Sequence, residues 1–180
     1  MIEVEAKIKI SNQNEFREKI KYIAKFVKRE KKIDDYYTLQ PLNSYPTKSL
    51  RIRKRGKTYE INFKQKLSYM KGIHAKNEHE FYVSDIIGFL NLIKDFGFKL
   101  WLRKEKITEL YKIKNNFHIE INKVKNLGWF LEVEYLSTKK NINKAREQVL
   151  NIIKKLEIDK KDLVADGYTK MLWDKKQLGV

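Results

Sequence analysis

Glu3, Glu5 and Lys7 occupy alternate positions of Met1-Ile-Glu-Val-Glu-Ala-Lys-Ile-Lys-Ile10. In an extended strand successive side chains point to opposite faces, so these three share a side with Lys9, while Ile2, Val4, Ala6, Ile8 and Ile10 share the other. Two carboxylates followed by an ammonium suit a divalent cation and an anion held side by side, because hard cations take carboxylate oxygen and phosphate takes ammonium. Taken alone, the pattern equally describes a half-buried strand with a solvated face.

The same alternation recurs along the chain with its charges segregated by sign. Acidic pairs stand at Glu3/Glu5, Glu78/Glu80 and Glu132/Glu134, and basic pairs at Arg51/Arg53, Lys64/Lys66 and Lys104/Lys106. Solvated faces mix signs, because like charges side by side repel. Runs of one sign on one face instead point to a polar interior that carries both cation and phosphate sites.

These residues need a scaffold, and the remaining pattern supplies one. Asn12 and Glu15 form a capping box, and Phe16, Ile20, Ile23 and Val27 predict a first helix of about four turns. A strand from Lys32 to Leu39 and a loop through Pro41, Asn43 and Pro46 follow. Ser49–Arg55 and Tyr59–Lys66 are strands joined at Gly56-Lys57, and His74–Val83 is another. Ser84 caps a second helix that ends at Gly97. The strand Phe98–Glu105 runs into Lys106 and pairs with Glu109–Lys114; Asn115-Asn116 makes a turn. Strands at Phe117–Asn122 and Trp129–Tyr135 precede a helix from Asn143 and a shorter helical segment from about Asp159 to Asp174. The predicted fold is α+β: a closed antiparallel β-barrel of about eight strands forming a polar tunnel, helices packed outside, one domain over residues 1–180.

Composition narrows the chemistry. With no cysteine and three scattered histidines, thiolate and zinc-type sites are excluded, so any metal is held by oxygen. No apolar run is long enough to span a membrane and no leader pattern opens the chain, which predicts a cytoplasmic location and no membrane partner. Forty Lys and Arg against 23 Asp and Glu give a net charge of +17, favouring polyanionic partners.

The ordered motifs resemble the CYTH superfamily, the triphosphate tunnel metalloenzymes, and within it the class IV adenylyl cyclase-like (CyaB-like) group. ExExK stands as Glu3-Val-Glu-Ala-Lys7, the D-x-Y strand as Asp34-Asp-Tyr-Tyr37, LRIR as Leu50–Arg53, the lysine strand at Lys64, paired glutamates at Glu78 and Glu80, K-x-R as Lys104-Glu-Lys106, and LGxFxExE as Leu127–Glu134. The resemblance implies that Glu3, Glu5, Glu132 and Glu134 bind Mg²⁺ or Mn²⁺ and, with Lys7, carry catalysis. Lys7, Arg51, Arg53, Lys64, Lys104 and Lys106 would hold the phosphates, with Glu78, Glu80 and Tyr168 also lining the substrate. Asn122 stands at the family's usual aspartate ligand and would coordinate the metal through its side-chain carbonyl as a poorer ligand, with Glu120 on the same face as a substitute. Lys106 replaces an arginine, and the His-Phe extension of the bacterial cyclases is absent.

The expectation is a metal-dependent enzyme hydrolysing a linear triphosphate: inorganic, nucleoside or thiamine triphosphate. A class IV-type cyclase converting ATP to cyclic AMP and pyrophosphate is the first alternative. A non-catalytic RNA- or polyphosphate-binding protein is the second; nucleic acid is not favoured as partner, and a homodimer is left open.

Overall fold

The computed structural model describes residues 2–114, 116–138 and 141–178. Met1 of the expected first strand and Asn115 of the expected turn lie outside them. Strand β1 (Ile2–Ile10) leads to helix α1 (Gln13–Lys21), β2 (Lys25–Thr38), β3 (Leu50–Arg55), β4 (Thr58–Met70) and β5 (Ile73–Val83). Helix α2 (Ile86–Asp95), β6 (Lys99–Lys114), β7 (Phe117–Val124) and β8 (Gly128–Ser137) come next, then α3 (Ile142–Lys155), a 3₁₀ turn at Lys160–Asp162 and α4 (Tyr168–Gln177). The strands close into a barrel in the order β1-β5-β4-β3-β2-β6-β7-β8, every pairing antiparallel. Two hairpin meanders, β3-β4-β5 and β6-β7-β8, make its halves. β2 joins them along one seam and β1 along the other.

β1 is buried on both faces. Its outward residues Ile2, Val4, Ala6 and Ile8 enter the main core with Ile20 of α1 and Val149, Ile152 and Ile153 of α3. Full burial of such side chains contributes about 1.5–3 kcal/mol each, which anchors the helices on this wall. Its inward residues Glu3, Glu5 and Lys7 are only 5, 6 and 3% exposed. A solvated charged face is therefore excluded. A smaller cluster seats α2 on the outside of β3 and β4 through Ile93, Ile52 and Ile61.

Local structure departs from the sequence pattern at four places. The α1 helix stops at Lys21, and Val27 is an exposed residue of β2 at a register shift between Phe26 and Lys28. Ile23, Phe26 and Val27 are β-branched or aromatic, and pairing with β6 from Lys25↔Lys112 onward satisfies the backbone that further helix would have used. β6 is one strand rather than two, since no turn residue interrupts Arg103–Leu110. Asp85, not Ser84, caps α2, accepting from the Gly88 amide at 2.9 Å. The C-terminal helical segment is split, with Leu163–Gly167 running outside any helix between the 3₁₀ turn and α4.

β2 and β3 pair at only four positions, Asp34↔Arg53 to Tyr37↔Leu50, and a buried ion cluster secures that short seam. Arg53 donates to both carboxylate oxygens of Asp34, at 2.5 and 2.8 Å, and Lys104 of β6 lies 3.0 Å from the same carboxylate. Burial opposes ionisation of Asp34, but Lys104 and Arg53 outweigh it and hold the carboxyl well below its usual range. Replacing Asp34→Asn leaves two buried cations without their counter-charge and is expected to lower unfolding stability by about 3–5 kcal/mol. Because the folded pKa is depressed, the contribution is complete above about pH 5, clear of the unfolded value, and is lost as pH falls toward and through the folded value. Urea unfolding of both proteins should thus show a constant difference from neutral pH down to about pH 5 and a shrinking one in stronger acid.

Candidate active site

Antiparallel register decides which inward side chains meet. Glu5 faces Glu134 across β1 and β8, Lys7 faces Glu132, and Glu132 in turn faces Glu120 of β7. Like charges placed directly opposite destabilise a sheet unless something neutralises them. Here ammonium groups do so. Lys64 lies 2.9 Å from Glu3 and also meets Glu78, Lys76 pairs with Glu5, and Lys32 and Lys106 each reach Glu120 at 2.9 Å. Lys7 and Lys106 each stand 3.5 Å from Glu132.

The protonation pattern follows this unequal sharing. Burial, reinforced by Glu134 and Glu5 and opposed by Lys64, raises the Glu3 carboxyl well above its usual value. At Glu5 burial acts the same way, but Lys76 and Lys7 prevail and hold it ionised. Glu134 is pushed up to about 8, first by burial and then by Glu120. Lys106 and Lys32 overcome burial at Glu120 and keep it ionised.

Asn122 is the hub between two of these carboxylates. Its amide donates to Glu132 at 2.7 Å and to Glu120 at 3.2 Å, and its carbonyl accepts from the Thr108 hydroxyl at 2.6 Å. Turning the amide over would set its oxygen against two carboxylates, so the network fixes its orientation. In this arrangement Asn122 is a bridge and its carbonyl is already used. The oxygen donors of Glu3, Glu5, Glu120, Glu132 and Glu134 fit a hard divalent cation in type, and the opposed pairs Glu5/Glu134 and Glu120/Glu132 are where such a charge would be most stabilising. Among the described residues no three acidic or imidazole groups converge at ligand spacing. Binding a cation there requires the glutamates to exchange ammonium partners for metal.

The basic side converges on one aromatic ring. The ammonium nitrogens of Lys7, Lys104 and Lys106 lie 4.4, 5.5 and 5.7 Å from the Tyr168 ring centroid. Each gains from the ring face, yet three cations around one ring repel one another and leave a site for an anion. Arg51 binds Glu60, which also accepts from Arg55 at 2.8 Å. Among the described residues the buried and half-buried acidic and basic side chains of the inward face are equal in number: Glu3, Glu5, Glu30, Asp34, Glu60, Glu78, Glu120, Glu132 and Glu134 against Lys7, Lys32, Arg51, Arg53, Arg55, Lys64, Lys76, Lys104 and Lys106. The net charge of +17 thus belongs to the rest of the chain.

One end of the tunnel is closed. The segment before α4 is tied to β1 by the Val164 amide donating to the Lys7 carbonyl at 2.8 Å and by a bridge between Ile8 and Leu163. Gly72, at φ +81°, turns β4 into β5 directly beneath this segment, and a Cβ there would collide with Leu163. Tyr168 is thereby set edge-on to Phe130 at 5.0 Å, with its hydroxyl buried. Burial and then Glu132 raise that hydroxyl well above its usual pKa. Trp173, Trp101, Tyr45 and Tyr36 continue the closure in edge-to-face contacts, and the Tyr45 hydroxyl bonds Thr169 at 2.8 Å.

The structure thus gathers Glu3, Glu5, Lys7, Arg51, Arg53, Lys64, Glu78, Lys104, Lys106, Glu120, Asn122, Glu132, Glu134 and Tyr168 on one inner wall. Glu80 stands apart at the rim, exposed, its carboxylate accepting from the Tyr82 hydroxyl at 2.9 Å. Arg103 is on the outer face, paired with Asp35 at 2.6 Å. Sequence reasoning missed Lys76, Lys32, Glu60 and Thr108. Lys76 and Lys32 alternate with Glu78 and Asp34, and that spacing was the available signal.

The CYTH domain model matches residues 1–168. A Methanocaldococcus jannaschii protein named as a candidate adenylate cyclase is 30% identical over 175 residues, covering 95% of this chain and 98% of its own. A solved structure from Pyrococcus horikoshii is 28% identical with a TM-score of 0.79, covering 93% of this chain and 98% of its own. A Hippeastrum protein, described as a candidate adenylyl cyclase with a dominant triphosphatase activity, shares the fold at 13% identity and a TM-score of 0.65, covering 97% of this chain and 96% of its own. A closed eight-stranded barrel with a charged interior, matched along nearly its whole length, places this chain in the CYTH family.

Proposed function

We propose that the chain is a metal-dependent hydrolase of linear triphosphates, acting on inorganic, nucleoside or thiamine triphosphate. The observation that carries this reading is the convergence of Lys7, Lys104 and Lys106 on Tyr168 beside opposed glutamates. Phosphoryl transfer is promoted chiefly by positioning and charge neutralisation, which such a wall provides without a nucleophilic side chain. In the reaction, water adds to the terminal phosphorus and its bond to the bridging oxygen breaks, releasing phosphate and the shortened chain. Lys7, Lys104 and Lys106 hold the phosphate oxygens, and Arg51 and Arg53 neutralise charge that builds on the leaving oxygens. Glu3, Glu5, Glu132 and Glu134 would hold Mg²⁺ or Mn²⁺, which supplies concentrated positive charge against the same oxygens.

Cyclisation of ATP is the second reading, favoured by the name of the Methanocaldococcus jannaschii relative. It needs a pocket for adenine. At the closed end the aromatic side chains pack against one another edge to face, and deeper in the tunnel the wall is ionic. Hydrolysis makes no such demand. Purified protein given Mg²⁺ or Mn²⁺ with inorganic triphosphate, ATP or thiamine triphosphate is expected to release phosphate and no cyclic AMP. Cyclic AMP with pyrophosphate would establish the cyclase instead.

Two substitutions test the wall itself. Glu5→Gln should keep its circular dichroism spectrum and lose at least about a hundredfold in turnover, the loss expected when several kcal/mol of metal-centred stabilisation is removed. Unchanged phosphate release in the folded variant would take Glu5 out of the metal site. Lys104→Ala should lower kcat/KM by about 10–100-fold, as for one charge-assisted hydrogen bond, while Arg103→Ala on the outer face leaves it unchanged.

A further inference from the structure

The end of the tunnel away from Tyr168 is bounded by the starts of β1, β2, β4 and β7 and the ends of β3, β5, β6 and β8. Helices α1, α2 and α3 pack on the outer faces of the barrel, so among the described residues no helix lies across this end. Glu78, Glu120 and Glu134 are half-buried on this side, while Glu3 and Glu60 are buried.

The rim of this end carries inward lysines that the triphosphate site does not use. Lys25 and Lys112 are direct cross-strand partners; Lys112 is also opposite His118, and His118 is opposite Glu134. Direct partners share a face with β-carbons about 5 Å apart, so this row leads toward the carboxylates. Lys28 follows on the same face, 3.1 Å from Glu30, whose charge is shared with Lys32 and Arg55 at 3.4 Å each. Lys25 and Lys112 have no acidic partner among the described residues. Opposing like charges weaken a strand pair, and an anionic ligand offsets that cost. Lysines at strand ends also deter edge pairing, but outward lysines fill that role equally well.

The chemistry of the rim selects among polyanions. Polynucleotides bind through basic grooves interleaved with aromatic stacking platforms. On the β2–β6–β7 side of the rim the described inward side chains are Lys25, Lys28, Leu110, Lys112 and His118, with no Phe, Tyr or Trp, and the inward aromatic Tyr82 is across the mouth on β5, its hydroxyl held by Glu80. Phe26 points outward, edge-on to Tyr111 at 5.5 Å. From Lys106 to Lys112 the strand rises about 20 Å, farther than a triphosphate alone extends. We propose that Lys25 and Lys112, with Lys28 beside them, form a subsite for phosphates beyond the third of an inorganic polyphosphate chain whose end lies in the tunnel. This rests on the triphosphate assignment above.

Isothermal titration calorimetry, in Mg²⁺ and in EDTA, compares tripolyphosphate, long-chain inorganic polyphosphate and an oligoribonucleotide 5′-triphosphate. Wild-type protein is expected to bind the long chain at least about fivefold more tightly than tripolyphosphate, the gain from two exposed charge contacts. The double variant Lys25→Ala/Lys112→Ala should lose that gain and keep its tripolyphosphate affinity and turnover. Lys31→Ala/Lys123→Ala, which removes the same charge from the outer face, should retain the gain. An equal loss in that control, or a wild-type protein that holds tripolyphosphate as tightly as the long chain, overturns the subsite and leaves the tunnel assignment standing. Tighter binding of the oligonucleotide than of polyphosphate overturns polyphosphate as the occupant. Failure to bind either phosphate compound under both conditions overturns the tunnel assignment and this subsite with it.

Discussion

Every ionisable side chain sealed inside a closed barrel must find a counter-charge or, as burial drives Glu134, give up its charge, and this requirement governs the structure more than any single apolar contact. Removing an ion from water costs several kcal/mol even after relaxation, so an interior built from glutamates, lysines and arginines stands only if each is compensated. The compensation is distributed by register. Asp34 is set between Arg53 and Lys104, Glu120 between Lys32 and Lys106, and Glu3 beside Lys64. A slip of one residue in any strand would send its charges into the outer core and its Ile and Val side chains into the tunnel. The same ionic wall that threatens stability therefore fixes the pairing of all eight strands.

Much of this was legible in the sequence because strand alternation is a local property. The apolar set Ile2, Val4, Ala6, Ile8 and its ionic counterpart declare which faces differ, and the sign segregation declares that the ionic face is enclosed. Pairing partners were not legible, because register is a property of two strands at once. Lys76 meets Glu5 only because β5 lies beside β1, a neighbour remote in sequence. The end of α1 was hidden for a related reason. Val27 satisfies a helical spacing from Phe16, and only the hydrogen-bonding edge of β6 draws Lys25–Val27 into a strand. Tyr168 was legible as an aromatic of the C-terminal segment but not as the ring on which three lysines converge, since that depends on the tie between Val164 and Lys7.

Net charge is a weaker guide to this site than it first suggests. Inward acids and bases are equal in number among the described residues, but burial raises Glu3 and Glu134 toward their neutral forms, so in the proposed reading phosphate is recognised by the arrangement of the charges and not by their count. Lysines gather around Tyr168 at the closed end, while acids and bases interleave along β1, β7 and β8. On the proposed function, phosphate oxygens entering such a wall would take ammonium and guanidinium groups from their carboxylate partners, and the freed carboxylates would then be available to a cation. Substrate and cation would thus relieve each other's cost of entry, because each would take up charges that the other leaves without a partner.

Asn122 shows what that coupling requires of a single residue. An aspartate there would place a third carboxylate against Glu120 and Glu132, and the cluster would depend on a cation to remain folded as it is. The amide instead donates to both glutamates while Thr108 satisfies its carbonyl. A neutral donor between two acids keeps the wall assembled before any ligand arrives. The cost is one fewer anionic ligand, so the remaining glutamates must supply the charge that holds a cation. Glu120, with both of its oxygens on lysines, would have to give up those contacts to do so, whereas Glu134 makes no ion pair among the described residues. In the proposed reading the β1–β8 seam, where Glu5 faces Glu134, would therefore be the place where a cation costs the fewest existing ion pairs.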